Sequence, residues 1–81
     1  MIKKDLRQAL ALLAAGDWQG AHAIVQEDEA SRLSCWAHGI VHLMEGDVAN
    51  ARYWYRVAGR AFPRDPSVKD EIGALSAALE A

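Results

Sequence analysis

Eighty-one residues with a formal net charge of −2 and 52 % apolar side chains describe one small domain with a packed core. The apolar share excludes a disordered tail, and the absence of surplus positive charge argues against a general nucleic-acid binder. A chain this short buries only about 60 to 65 % of its unfolded surface, so little of its interior is available for elaborate chemistry.

At the N-terminus Lys3 and Lys4 precede the apolar run Ala9 to Ala15, a loose imitation of a signal peptide. The run is seven residues long and Asp5 and Arg7 interrupt its approach, so it reads as an amphipathic helix instead. Ile2, Leu6, Leu10 and Leu13, with Ala9 beside them, recur at steps of three and four and share one helix face. Gly16 stops this helix. Asp17 caps the next, because its carboxylate can accept the free amides of a first turn.

The second helix reaches about Gln26 and buries Trp18, Ala21, Ile24 and Val25. The acidic run Glu27, Asp28 and Glu29 follows as a loop. A third helix opens at Ser31 or Arg32 and ends near Glu45, with Leu33, Trp36, Ile40 and Leu43 as its stripe. Gly46 and Asp47 repeat the stop-and-cap punctuation. The fourth helix is expected over Val48 to Ala61, packing Ala51, Trp54, Tyr55, Ala58 and Phe62. After Pro63, Pro66 or Ser67 starts a final helix carrying Val68, Ile72, Leu75 and Leu79, because proline suits a first helical turn. No stretch approaches the roughly 20 apolar residues of a membrane span, and a cytoplasmic setting is expected. The single cysteine, Cys35, allows neither an intrachain disulfide nor a cysteine-rich metal site and fits a reducing compartment.

The punctuation is an internal repeat: Gly16-Asp17-x-x-x-Ala21 returns as Gly46-Asp47-x-x-x-Ala51, thirty residues on. Turns this short leave their flanking helices adjacent and antiparallel. The fold class is therefore all-α, about five helices in antiparallel hairpins. Residues 2–30 form the first pair, 31–63 the second, and 66–81 a C-terminal capping helix.

The second copy resembles a tetratricopeptide repeat. Gly39 matches the small residue midway along that family's first helix, and Gly46-Asp47 its turn. Ala51, Tyr55 and Ala58 match the small-aromatic-small pattern of its second helix, and Pro63 its closing proline. Ile72 and Gly73 match the large-small pair that opens a further repeat. The first copy departs from the pattern: Val25 stands where the second-helix aromatic belongs, and the spacing of 30 is short of the family's 34. The chain is also similar to small uncharacterised bacterial proteins carrying an Asn-Ala-x-Tyr-Trp-Tyr-Arg stretch like 50 to 56. The tetratricopeptide resemblance implies a right-handed stack of hairpins that binds a protein partner in a groove lined by first helices. It implies neither catalysis nor a cofactor.

Three groups of residues could act. Leu6, Leu10 and Leu13 beside Trp36, Ile40 and Leu43 fall where the family lines its groove. The final helix is expected to pack on the fourth and leave this strip partly uncovered, a contact surface for a protein partner or a homodimer. The alternatives are that the last helix folds over the strip or that a dimer buries it. Arg52, Arg56 and Arg60 step by four, and Arg64 follows. With Tyr53 and Trp54 among them they could grip an anionic partner, against the plain alternative of a solvated flank that balances the acidic run and the helix dipole. His38 and His42 share a helix face, with His22 on the neighbouring helix. The leading expectation for them is structural: partly buried histidines hydrogen-bonded to neighbours such as Tyr55 or Glu45, with no stoichiometric metal. The alternatives are that three neutral imidazoles bind zinc or another transition metal, or that they sense pH or transfer a proton. Gly39 stands where a zinc-protease motif needs glutamate, so that reading fails. Cys35 has no convincing base.

The leading expectation is a helical-repeat protein for protein–protein interaction or self-association, without catalysis. The alternative is a small metal- or ligand-binding protein using its histidines.

Overall fold

A computed structural model describes residues 3–81; Ile2, expected in the first apolar stripe, lies outside them. The described chain is all-α. Its five helices are α1 (Lys3–Ala14), α2 (Trp18–Val25), α3 (Arg32–Glu45), α4 (Val48–Val57) and α5 (Val68–Glu80).

Each start from α2 onward has a side-chain cap. Asp17 Oδ1 accepts from the Gly20 amide at 2.9 Å, and Asp47 Oδ1 from that of Asn50 at 3.2 Å. Ser31 and Ser67 cap α3 and α5 in the same way. The turn after α3 is tight because Gly46 adopts φ +89°, a left-handed value that glycine alone takes freely. The Asp47 amide then reaches the His42 carbonyl at 2.9 Å, and the Gly46 amide that of Leu43 at 3.2 Å. This closes a Schellman motif, and Gly16 closes α1 on the same pattern.

α4 is shorter than its apolar pattern suggested. It ends at Val57, not Ala61, because Gly59 takes φ +74° and the Arg60 amide bonds the Tyr55 carbonyl at 2.9 Å. Phe62 consequently lies beyond the helix and returns to meet the Tyr55 ring edge-on at 5.2 Å.

α3 is the central element. Every residue from Ser34 to His42 is buried, as expected for a helix with neighbours all round. It packs against α2, α4 and α5 and touches α1. The α3–α4 pair is close because Gly39 has no Cβ, and the Tyr55 ring lies in the space one would occupy.

α5 goes elsewhere than expected. It packs against α3 and α1 rather than α4. Leu75 and Leu79 enter the core with Leu6, Leu10, Leu13, Trp36 and Ile40, and Arg7 forks onto Glu80 at 2.7 and 2.9 Å to tie the two chain ends together.

Candidate metal centre

The apolar strip proposed for a partner belongs to the core instead. Leu6, Leu10, Leu13 and Ile40 are buried, and Trp36 is 1 % exposed. Only Leu43 is half-buried. The physical reason is the course of α5, whose stripe covers the faces of α1 and α3. Glu71 of α5 accepts the Trp36 indole N–H at 3.2 Å, and the same oxygen takes the Tyr55 hydroxyl proton at 2.6 Å. The guanidinium of Arg60 lies 3.4 Å above the Trp36 ring. A side chain so enclosed is not an anchor for a second molecule.

The histidines do come together. α2 and α3 pack as neighbours, and His38 and His42 are one turn apart on α3, so both reach the side of α2 that carries His22. Ring centroids are 4.9 Å apart for His22 and His38, 5.4 Å for His22 and His42, and 5.1 Å for His38 and His42. One ring nitrogen from each lies within 4.8 Å of the other two. His38 and His42 are buried, and His22 is half-buried at the mouth.

Each ring is held differently. His42 Nδ1 is 2.8 Å from Glu45 Oε1. An ionised carboxylate only accepts, so this nitrogen carries the proton and Nε2 remains free. His38 lies flat against Trp54, with centroids 3.9 Å apart and planes 10° apart. Its Nδ1 is buried without a hydrogen-bond partner. An unsatisfied buried nitrogen costs about 1–3 kcal/mol, so this one needs an explanation. Burial first, then the neighbouring His22 and His42, lowers the His38 pKa to about 4. At neutral pH it is an uncharged imidazole with a lone pair to give.

The donor set fits a metal ion. Imidazole suits zinc, copper, nickel and iron, and zinc bonds of about 2.0–2.1 Å place donors about 3.3 Å apart in a tetrahedron. The Glu45–His42 contact is the carboxylate–histidine arrangement that fixes the tautomer and direction of a metal ligand. Three histidines leave a fourth position open. A second trio, His42, Glu45 and Asp47, carries no argument of its own, because Asp47 is occupied as the cap of α4.

Trp54 is the member of this site that sequence reasoning missed, although the signal was present. His38 precedes Gly46 by eight residues and Trp54 follows it by eight. In a tight antiparallel hairpin, positions equidistant from the turn face each other. The hydrogen bond foreseen between a histidine and Tyr55 is absent; Tyr55 turns to Glu71 instead. Cys35 is buried, its S–H directed to the Glu29 carbonyl at 3.3 Å. Burial, with Asp28 and Glu29 nearby, raises its pKa, the reverse of what a nucleophile needs.

Arg52 and Arg56 lie on the other flank of α4, and Arg60 and Arg64 follow beyond its end. Arg52, Arg56 and Arg60 line a pocket with Tyr55 and Phe62, whereas Arg64 is exposed outside that lining. No helix among the described residues is long and apolar enough to cross a membrane. No family model, curated protein or solved structure matches the chain.

Proposed function

We propose that the protein binds one transition-metal ion, of the zinc or late first-row class, through His22, His38 and His42. The observation that carries this reading is the cluster itself: one ring nitrogen of each histidine lies within 4.8 Å of the other two, and the Nδ1 atom of His38 is buried and unpartnered. A metal ion supplies the missing partner, and the depressed basicity of His38 means no proton has to be displaced there at neutral pH. Glu45 serves as the group that orients His42, and Trp54 as the wall that fixes the plane of His38. The interaction reading stands behind this one, since the strip that motivated it is core. The tetratricopeptide likeness of the hairpins and a cytoplasmic setting are compatible parts of the same proposal, resting on Gly39, Tyr55 and the Gly-Asp turns, and on a lone thiol.

The test is metal uptake by chelator-stripped protein, followed by titration calorimetry with Zn²⁺ and by the visible spectrum with Co²⁺. One ion per chain is expected. His22→Ala, at the half-buried ligand, should abolish stoichiometric uptake and leave the helix content unchanged. Glu45→Gln should weaken binding by about 10- to 100-fold, the usual effect of removing such a partner. Failure of the stripped protein to take up any metal, or undiminished uptake by His22→Ala, would overturn the proposal.

A further inference from the structure

The stretch 50 to 64 carries Arg52, Arg56, Arg60 and Arg64 and no acidic residue, within a chain whose net charge is negative. The fold gathers three of these cations. Arg52 and Arg56 are one turn apart on α4, and the Gly59 turn that ends the helix keeps Arg60 beside them. With Tyr55 and Phe62 they line an open pocket of about 250 Å³. At 100° per residue, Arg52 and Trp54 point to opposite flanks of α4, so this pocket is separate from the histidines.

Two of the guanidinium groups already have their flat faces occupied. Arg52 lies 4.8 Å from the Phe62 ring centroid and Arg60 3.4 Å from that of Trp36. Stacking fixes the plane of a guanidinium and leaves its N–H edge free to donate. Among the described residues no carboxylate forms an ion pair with Arg52, Arg56 or Arg60. Glu71 is the acid of this corner, and its Oε1 is taken by Tyr55 and Trp36. Three unpaired cations around one concavity, two of them oriented by stacking, repel each other, and an anion relieves that repulsion.

We propose that this pocket binds a small phosphate-bearing anion. A phosphate group presents three terminal oxygens and close to two charges, and can meet more than one guanidinium fork at once. A carboxylate, with one charge and two oxygens, occupies a single fork. The volume suits a mono- or diphosphate. A nucleic-acid strand would need a longer basic track than the chain's charge provides. The phosphate is either free or carried on an organic group, and the pocket's Phe62 wall is available to the latter.

Titration calorimetry on metal-free protein at low salt tests this with four probes: inorganic phosphate, pyrophosphate, adenosine monophosphate and acetate. The phosphate compounds should bind one per chain, weaken as salt is raised, and outcompete acetate. Tighter binding of pyrophosphate marks a free anion, and tighter binding of adenosine monophosphate an organic phosphate. The Arg56 side chain makes no hydrogen bond or ion pair among the described residues, so Arg56→Gln should weaken binding by about tenfold or more without disturbing the fold. Arg64→Gln, outside the pocket, should leave it unchanged. The proposal is overturned if no phosphate compound binds at millimolar concentration. It is equally overturned if acetate binds as well, or if Arg56→Gln and Arg64→Gln behave alike. None of these results bears on metal uptake, which uses other residues.

Discussion

The imidazole of His38 lies against the indole of Trp54, 3.9 Å between ring centroids and 10° from parallel. The stack removes one face of His38 from water and joins α4 to the histidine cluster. Trp54→Ala would open that face. The His38 pKa, held at about 4 chiefly by burial, should then rise toward its ordinary value, as an NMR titration of the imidazole ring would show. Trp54 is half-buried, so the loss of its packing should cost roughly 1–3 kcal/mol.

The same depression predicts how metal-free stability varies with pH. His38 in the unfolded chain titrates near 6.5 and in the folded protein near 4. The unfolded chain therefore binds more protons across that interval, and stability rises with pH. Its contribution is fully present above pH 6.5 and disappears as pH falls through about 4. A shift of this size corresponds to roughly 3 kcal/mol. Urea unfolding measured at intervals across the window should show the slope, and His38→Gln should flatten it. An unchanged slope in that variant would assign the acid sensitivity to other groups.

Trp36 offers a clean separation between core and contact roles. It is 1 % exposed, bonded to Glu71 and roofed by Arg60. Trp36→Ala should cost about 3–5 kcal/mol, the usual range for a buried tryptophan, which is most of the stability of a small domain. Circular dichroism should show the variant largely unfolded at room temperature. A well-folded Trp36→Ala protein would restore the residue as a candidate contact.

Much of this fold was legible because its signals are local. Gly16-Asp17 and Gly46-Asp47 marked two turns, and the stripes of α1 and α3 marked apolar faces that are buried at Leu6, Leu10, Leu13, Trp36 and Ile40 and half-buried at Leu33 and Leu43. The path of α5 was not legible. Its stripe of Val68, Ile72, Leu75 and Leu79 states which face is buried but carries no address for the partner, and α5 chose α1 and α3 over α4. That single difference turned a supposed binding strip into core. The apolar pattern of α4 continues to Phe62, yet the left-handed backbone at Gly59 ends the helix first. For the histidines, spacing gave a shared face on α3. The orphaned nitrogen of His38 and the Glu45 contact depend on rotamers and neighbours that no spacing encodes.

Two glycines inside helices should respond oppositely to the same substitution. Alanine is favoured over glycine in a helix interior by about 1 kcal/mol, so any departure measures the surroundings. Gly73 in α5 is exposed, and a Cβ there meets nothing within 4 Å; Gly73→Ala should stabilise by close to that amount. At Gly39 a Cβ would overlap the Tyr55 ring, lying 2.7 Å from its Cε1, and would sit 3.3 Å from the Ala51 carbonyl oxygen. Tyr55 has no room to yield: it is 1 % exposed, its hydroxyl is held by Glu71 and its ring meets Phe62. The α3–α4 hairpin must open instead, and overpacking of this kind costs about 1–3 kcal/mol or more. With contacts this short on both ring and backbone, the upper end applies, and Gly39→Ala should be destabilised by about 2 kcal/mol net. Thermal unfolding would register a melting temperature lower by roughly 10 °C in a domain of this size, against a rise for Gly73→Ala. Because Gly39 adjoins His38, the opened hairpin should also weaken metal uptake, a loss that Gly73→Ala does not share.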